Sequence, residues 1–487
     1  MKLKNLPPLK GHTERHRWRW PVFLLSLIIV ITISSFLLSS GRIHLQFPSV
    51  FTLQNKKNGT ATITGSSSPP TPSASIVVPG AQPTIIQPST PGAPALDALG
   101  QVTDQAFGTN NDYVPNGWGT QKLRIIRMTT GDLFTTYISQ GSGNRDRTWH
   151  LLHKAPGSSN WEDIKQGDAG TEPINIIRGP NDVIHLFAWP GTNRVALHFF
   201  STDMGRTFGQ EVLQGQWSSD QGYSGASINA KGDIVFFQTG GDVPGIFYWT
   251  YYSPATQKWT FHTSQMQYRH TYAYFFPGDN NDLTIVAMRD VERSYLNYPS
   301  ASGFDYIFNQ ISYFYIRNVT SPDLQQLSIV QVQPRNTNDA DVTYVTDVYV
   351  DTQGSTHVLY NDEYDGAHQA IIAQGKVIKN VKMNISAVNK ARMTQDVQGH
   401  FYIITMDSQG KTLNVYPGSA TDTNGTQLES PTRLDISSFP GCTDYDFCLE
   451  PTFTIPRGGD ALSNTIDGVY GNFTHEYYFR INLRSKG

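Results

Sequence analysis

Cysteine is scarce in this chain of 487 residues, which contains 2, Cys442 and Cys448. They stand in the segment Gly-Cys-Thr-Asp-Tyr-Asp-Phe-Cys with no nearby histidine, so their spacing does not favour a metal site. In an oxidising compartment this pair can close a small loop as a disulfide. The sequence also lacks a Gly-rich phosphate loop and a Gly-x-Ser-x-Gly nucleophile elbow. We therefore predict no metal and no cofactor, although an acidic loop is compatible with a structural calcium ion.

Charge is absent from one long stretch, Pro21 to Ser40, whose apolar centre is long enough to cross a bilayer as a helix. The preceding residues 1–20 are strongly basic, and the positive-inside rule places them in the cytoplasm. A cleaved signal peptide is the competing interpretation, but the apolar run is longer than a usual signal and no Ala-x-Ala-like site follows it. We predict a cytoplasmic tail over 1–20, a transmembrane helix over 21–40 and a single-pass membrane protein whose remainder is extracytoplasmic.

A linker rich in Ser, Thr and Pro is predicted over residues 41–100. Such a composition buries too little apolar surface to fold, and its prolines favour extended chain. The linker can serve as a stalk that lifts a head clear of the cell surface, or it can be a connection with no length requirement. The predicted head, residues 101–487, is acidic, because the excess of basic residues lies before it. An acidic head argues against a nucleic-acid partner.

A turn followed by a strand recurs through the head at intervals of roughly 50 residues, which is the size of one propeller blade. These turns lie near Gly131, Asn181, Gly232, Asn281, Gly354 and Gly399. After the first three turns a second turn follows at a nearly constant distance, at His153, Asp203 and Ser253. A fixed offset inside a repeated unit indicates a repeated supersecondary element.

The second turn at Asp203 has the sequence Ser-Thr-Asp-Met-Gly-Arg-Thr-Phe, which resembles the Asp-box hairpin of sialidases and other β-propellers. The residues that carry this resemblance are Ser201, Asp203, Gly205, Thr207 and Phe208. The carboxylate can accept backbone hydrogen bonds within the turn, the glycine tolerates a positive φ, and the aromatic ring can fill the space between sheets. The resemblance implies a propeller of the sialidase-like superfamily, which the predicted transmembrane helix would anchor in a membrane. In that superfamily the Asp-box is structural.

The fold class that follows is an all-β propeller with six or seven blades, and seven are favoured. The segments Phe453-Thr-Ile, Thr465 to Tyr470 and Glu476 to Leu483 can supply three strands of a last blade. Its fourth strand can come from near Gln101-Val-Thr-Asp-Gln, which would close the ring and leave no exposed edge.

Alternation of strand direction separates the two faces of this disc. The Asp-box turns share one face, and the loops between second and third strands share the other, where the resemblance places a binding cleft. An insertion from Asp290 to Asn309 falls on that second face, in blade four. The candidate catalytic residues there are Arg289, His270, Tyr295 and Tyr272. The candidate ligand-binding residues are Arg269, Arg293, Asp290, Glu292, Asp362, Tyr364, Asp365 and His368.

These residue types suit a sugar or anion site, because arginines bind carboxylates, tyrosines stack on sugars, and carboxylates accept hydroxyls or transfer protons. We favour a non-catalytic head that binds a glycan or a surface protein, since no complete catalytic signature is present. A sialidase-like hydrolase is one alternative, but the family's Arg-Ile-Pro signature is echoed only by Arg124-Ile125-Ile126. A uronate-polysaccharide lyase is the other, with His270 and Tyr272 or Tyr295 as base and acid and Arg289 neutralising the uronate.

Overall fold

The structure is a computed structural model. It describes residues 92–106, 119–140, 147–170, 173–189, 195–218, 223–302, 304–321, 323–386, 390–440, 449–472 and 474–484, with short gaps between them. The predicted tail, the predicted transmembrane helix 21–40, most of the predicted linker and both cysteines lie outside these ranges. Within them, no helix has the length and apolar character needed to span a membrane.

In the part of the chain that the structure describes, the strands form seven four-stranded antiparallel sheets, one for each blade of a propeller. The first strand is β1 (Ala95–Thr103), which belongs to the last blade. Blades one to three are β2–β5 (Ile125–Arg127, Leu133–Gln140, Arg147–Lys154, Glu162–Ala169), β6–β9 (Asn175–Gly179, Val183–Ala188, Ala196–Ser201, Gly209–Leu213) and β10–β13 (Gly225–Ile228, Ile234–Gly241, Gly245–Ser253, Lys258–Met266).

The remaining four blades repeat the same order. They are β14–β17 (His270–Pro277, Leu283–Glu292, Tyr306–Ile316, Leu324–Gln331), β18–β21 (Thr343–Val350, Thr356–Asp362, Gly366–Ala373, Lys376–Lys382), β22–β25 (Ala391–Gln395, Phe401–Met406, Thr412–Pro417, Thr432–Asp435) and β26–β28 with β1 (Leu449–Phe453, Thr465–Gly471, Glu476–Asn482). The expectation of seven blades is therefore confirmed.

The last blade is closed by a strand that precedes blade one in the sequence, as expected. Strand β1 pairs antiparallel with β28 from Ala95 opposite Asn482 to Thr103 opposite Glu476. The strand begins at Ala95, so the propeller starts before residue 101 and the linker ends earlier than the sequence indicated. Because the first and last strands share one sheet, the ring has no free edge between blades seven and one.

The recurring turns have one backbone requirement in common. Each links the first and second strands of a blade and places at least one residue in the left-handed region, with φ of 90° at Gly131, 58° at Asn181, where Asp182 follows with 59°, and 62° at Asn281. Glycine and asparagine are the residues that adopt this conformation at least cost, which explains why only these two recur there. The sequence repeat therefore arises because the turn from first to second strand needs a left-handed residue in one blade after another.

The hydrophobic core lies between the blades. The inner strands are almost fully buried, as in β22, whereas outer strands such as β21 alternate between exposed and partly buried residues. Large side chains fill the spaces between sheets, and Trp149 and Trp249 are fully buried. Burial on both faces also explains the near-continuous apolar runs of second strands such as β11 and β23, which period-two alternation would not predict.

The Asp-box hairpin joins β8 to β9. Asp203 Oδ1 accepts hydrogen bonds from Ser201 Oγ at 2.8 Å and Thr207 N at 2.9 Å, and its Oδ2 accepts one from Thr207 Oγ1 at 2.6 Å. These bonds lower the pKa of Asp203 to about 2. Gly205 has a φ of 79°, and a Cβ there would lie 2.6 Å from Ile164 Cδ1. The motif's aspartate and glycine are both needed by the local geometry.

Candidate functional site

We call the face that carries the Asp-box hairpin the lower face, and the opposite face the upper face. The upper face is formed by the loops between second and third strands and by the connections between blades. The insertion of blade four lies there, between Glu292 at the end of β15 and Tyr306 at the start of β16. Its first residues form a 3₁₀ turn, Arg293–Leu296.

The centre of the ring is occupied by the chain between β26 and β27. A 3₁₀ turn, Pro456–Gly458, contacts the inner strands β6 and β10. The next residue, Gly459, has a φ of 90°, and a Cβ there would lie 1.7 Å from Arg178 O. We call residues 456–460 the axial plug. Because it lies inside the ring of inner strands, it forms the bottom of the upper face at the centre of the ring.

Arg457 is the part of the axial plug that points toward the upper face. Its guanidinium donates hydrogen bonds to Gln121 O at 2.9 Å and Thr120 O at 3.1 Å, just before β2 begins. It also lies 5.0 Å from the ring centroid of Tyr274 on β14. Arg457 is 8% exposed, and burial lowers its pKa while Tyr274 and Asp347 oppose this. A buried guanidinium is thus held on the axis by three different blades.

Further polar side chains converge on this position from other inner strands. Tyr274 Oη lies within hydrogen-bond distance of Thr120 Oγ1 and is 3.2 Å from Thr346 O, which also accepts a hydrogen bond from Arg392 at 3.0 Å. Lys122 donates to Ser224 Oγ at 2.9 Å, which links blades one and three. We call the following residues the axial cluster: Thr120, Lys122, Tyr274, Asp347, Arg392 and Arg457.

Asp347 is the acid of the axial cluster. It is fully buried, and its Oδ2 accepts a hydrogen bond from Met393 N at 2.7 Å. Burial raises its pKa, although the neighbouring Arg392 and Arg457 lower it. The cluster therefore combines one buried carboxylate with three basic side chains, an arrangement that suits hydroxyl groups or an anionic group as ligand.

Three tyrosines lie beside the axial cluster: Tyr272 on β14, Tyr344 on β18 and Tyr223 just before β10. The ring centroid of Tyr272 is 5.1 Å from that of Tyr223 and 5.6 Å from that of Tyr344. Tyr272 is 3% exposed, adopts a φ of 49°, and burial raises its pKa well above the usual range. We call these three residues the tyrosine cluster. Their aromatic faces can support stacking on a sugar ring.

An ion-pair network flanks the tyrosine cluster. Arg269 donates to Asp290 Oδ2 at 3.0 Å, lies 3.4 Å from Asp242 Oδ1, and stacks on Tyr306 with 4.7 Å to the ring centroid. Burial raises the pKa of Asp290 against the opposing effect of Arg269, and burial raises that of Tyr306 to about 12. The structure thus places two predicted ligand-binding residues, Arg269 and Asp290, next to each other, where they form an ion pair.

The four predicted catalytic residues do not form one constellation. His270 is 2% exposed, with Nδ1 2.9 Å from Tyr268 O and Nε2 3.1 Å from Ser312 Oγ, and burial lowers its pKa to about 3. Arg289 donates two hydrogen bonds to Asn309 Oδ1, at 2.9 and 2.7 Å. Tyr272 belongs to the tyrosine cluster, and Tyr295 is 45% exposed on the insertion.

Arg293 and Glu292 belong to the base of the insertion. Arg293 donates to three carbonyl oxygens, those of Pro299 at 2.9 Å, Asp339 at 2.7 Å and Thr337 at 2.6 Å. It is 1% exposed. Its guanidinium therefore holds the insertion against the connection that leads into blade five, and we do not include it in the proposed ligand site.

The predicted residues of blade five lie on the rim. Tyr364 N donates to Asp362 Oδ1 at 2.9 Å, and its hydroxyl donates to Asp339. Asp365 is paired with His368 at 2.8 Å and with Lys382 at 2.6 Å. Apart from the bond between Tyr364 and Asp339, which lies in the connection before β18, these contacts are local, and none of them involves a residue of the axial cluster.

Arg124, which resembles the early arginine of sialidases, also has a structural partner. It forms a buried ion pair with Glu476 at 3.1 Å, between blades one and seven. Burial raises the pKa of Glu476 to about 7, although Arg124 lowers it. This arginine therefore stabilises the closure of the ring rather than facing a ligand.

Most of the axial cluster was missed by sequence reasoning. Arg457 and Tyr274 carry no motif, and only the unusual length of the connection between β26 and β27 sets the plug apart from the tight turns elsewhere. Among the described residues, no three His, Cys, Asp or Glu side chains are grouped so that they could hold a metal ion.

Comparison with family models and with curated proteins found no match. Among solved structures, an ulvan lyase of a new polysaccharide lyase family has a TM-score of 0.50 and 11% identity, covering 79% of this chain and 96% of its own. The polysaccharide lyase Uly1 has a TM-score of 0.48 and 13% identity, covering 80% and 99%. An α-L-arabinofuranosidase from Fusarium graminearum has a TM-score of 0.36 and 12% identity, covering 68% and 99%. At 11% identity the likeness to the ulvan lyase shows a shared fold alone.

Proposed function

We propose that the propeller is a glycan-binding head whose ligand lies on the upper face, over the axial cluster and against the tyrosine cluster. The observation that carries the proposal is the convergence of Arg457, Arg392 and Lys122 with tyrosines at the floor of that face. Sugar sites combine aromatic surfaces with a few fixed polar groups, and both are present here within neighbouring inner strands.

Catalysis is not part of this proposal. A lyase or hydrolase built on His270 would need its imidazole to reach the ligand, but both ring nitrogens are occupied by Tyr268 O and Ser312 Oγ. The sialidase alternative would need a free arginine at Arg124, which is paired with Glu476. Binding requires neither group.

The test is a glycan-binding measurement with the purified full-length protein on an array of neutral, uronate-containing, sialylated and sulfated glycans. For any glycan that binds, we expect Arg457→Gln and Tyr344→Ala each to weaken the affinity at least about tenfold. Arg484→Gln, which removes an arginine of the lower face, is the matched control and should leave the affinity unchanged.

Circular dichroism and thermal unfolding of each variant separate lost binding from lost folding. Wild-type affinity in folded Arg457→Gln and Tyr344→Ala would contradict the placement of the site. Absence of glycan binding together with capture of a surface protein would replace the glycan by a protein ligand, and unsaturated or released sugars would replace binding by catalysis.

The proposal also includes the location of the head. A charge-free segment at 21–40 after a basic segment supports anchoring of the chain in a membrane with the propeller on the extracytoplasmic side. Protease added to intact cells should then remove the propeller, whereas a fraction resistant to protease until the cells are lysed would contradict this orientation.

A further inference from the structure

Blade one contains an aligned row of a hydroxyl, an imidazole and a carboxylate on three adjacent strands. Ser139 on β3 has its Oγ 2.8 Å from Nε2 of His150 on β4. Nδ1 of the same imidazole is 2.6 Å from Oδ2 of Asp163 on β5. This is the order and spacing of groups that activates a serine hydroxyl in serine hydrolases.

The hydrogen bonds assign a role to each group. Because the Asp163 carboxylate can only accept, the imidazole proton is on Nδ1, and Nε2 is left as an acceptor for the Ser139 hydroxyl. The other acceptor near this hydroxyl, Thr148 O, is more distant at 3.5 Å. Tyr137 stacks on the imidazole with 4.4 Å between ring centroids and 5° between planes, which fixes the ring orientation.

Blade two provides an internal comparison, because it has a related row without a hydroxyl. There His198 pairs with Glu211 at 2.7 Å, and its other nitrogen meets His185 at 2.9 Å. Glu211 is further bonded to Trp259 at 2.7 Å; the His198 side chain is 4% exposed and that of Glu211 is 43% exposed. In blade two the imidazole is thus buried, and its two nitrogens face His185 and Glu211 instead of a hydroxyl.

The imidazole of blade one is more open to solvent than that of blade two. The side chains of His150 and Asp163 are 12% and 18% exposed, and Ser139 is partly exposed near the upper end of β3.

We propose that Ser139, His150 and Asp163 form a serine-hydrolase site that cleaves carboxylic esters, independent of the axial cluster. Ser139 Oγ attacks the ester carbonyl while His150 Nε2 takes the hydroxyl proton. The ester C–O bond then breaks, the alcohol leaves with that proton, and the acyl group stays on Ser139. Water, deprotonated by His150, releases the acyl group as a carboxylic acid and restores the serine.

The first experiment treats the folded full-length protein with a fluorophosphonate probe, which labels activated serines, and locates the adduct by peptide mass spectrometry. We expect labelling at Ser139, its loss in Ser139→Ala, and wild-type labelling in Ser294→Ala. Ser294 is the matched control because it is an exposed serine on the insertion. Absence of an adduct at Ser139 in the folded wild-type protein would overturn the proposal.

The second experiment tests Asp163 as a positioning residue through hydrolysis of a p-nitrophenyl ester. Asp163→Asn keeps the size of the side chain but can favour the wrong imidazole tautomer, so kcat should fall by about 10³ to 10⁴-fold with little change in KM. The acid limb of the pH profile should shift in the same variant. Equal rates in wild-type, Ser139→Ala and Asp163→Asn would show that the row is structural only.

Discussion

Asp460 is the residue of the axial plug whose protonation we expect to control stability. It is 7% exposed, and its Oδ1 accepts a hydrogen bond from Arg127 N at 2.9 Å. Its Oδ2 is buried and has no hydrogen-bond partner within the described residues. Burial raises the pKa of Asp460 to about 7, against the opposing effects of this hydrogen bond and of Arg178. A charged carboxylate is therefore unfavourable at this place in the ring.

The sign of the pH dependence follows from the raised pKa. The folded protein binds the proton of Asp460 more tightly than the unfolded chain does, so this contribution to stability is complete at low pH. It is lost as the pH rises from 3.8, the ordinary pKa of an aspartate, through about 7. One pKa unit corresponds to about 1.4 kcal/mol, so raising the pH from 5 to 8 should cost the wild-type protein about 2 to 3 kcal/mol at this residue.

Asp460→Asn removes the charge while it keeps the acceptor for Arg127 N. The free energy of unfolding of the variant, minus that of the wild-type protein, should therefore rise by about 2 to 3 kcal/mol between pH 5 and pH 8. Urea unfolding of the full-length protein, followed by tryptophan fluorescence at both pH values, measures this difference. Asp279→Asn, at an exposed aspartate of the lower face, is the control and should show no such rise. A constant difference for Asp460→Asn would refute the reasoning.

Three further substitutions test the packing of the ring. Gly459→Ala places a Cβ against Arg178 O at a positive φ, and we expect a fall of several degrees or more in the thermal unfolding midpoint. Arg124→Met leaves the buried Glu476 without its partner and should cost about 3 to 5 kcal/mol in urea unfolding at pH 8, with a smaller loss at pH 5, where Glu476 is protonated. Trp149→Ala opens a cavity between blades one and two and should cost about 3 to 5 kcal/mol, whereas a loss below 1 kcal/mol would contradict its placement in the core.

The propeller was predictable because its repeat reflects local backbone chemistry. A residue with positive φ is needed at every turn from first to second strand, and glycine or asparagine marks that position in the sequence. Strand direction then predicts which face carries the insertion of blade four, and the structure confirms that placement.

The arrangement of side chains was less predictable, because the direction of a side chain depends on details of the strand that the sequence does not display. The pairing of β14 with β15 is irregular between Thr271 and Tyr274, so the alternation of inward and outward residues changes within one strand. His270 consequently points toward Ser312 in blade four, whereas Tyr274 reaches the axis. Arg457 escaped prediction because the axial plug has neither strand nor helix periodicity.

The closure of the last blade by β1 has a mechanical consequence. The chain that precedes Ala95 enters the propeller through the strand that also completes the ring, and that strand runs antiparallel to β28 along their whole pairing. A pull on the preceding chain, resisted by the rest of the ring, acts along β1 and loads its hydrogen bonds with β28 together, in shear. The force is shared across the strand instead of opening the bonds one at a time, so the pairing that closes the ring is also the pairing that resists the pull.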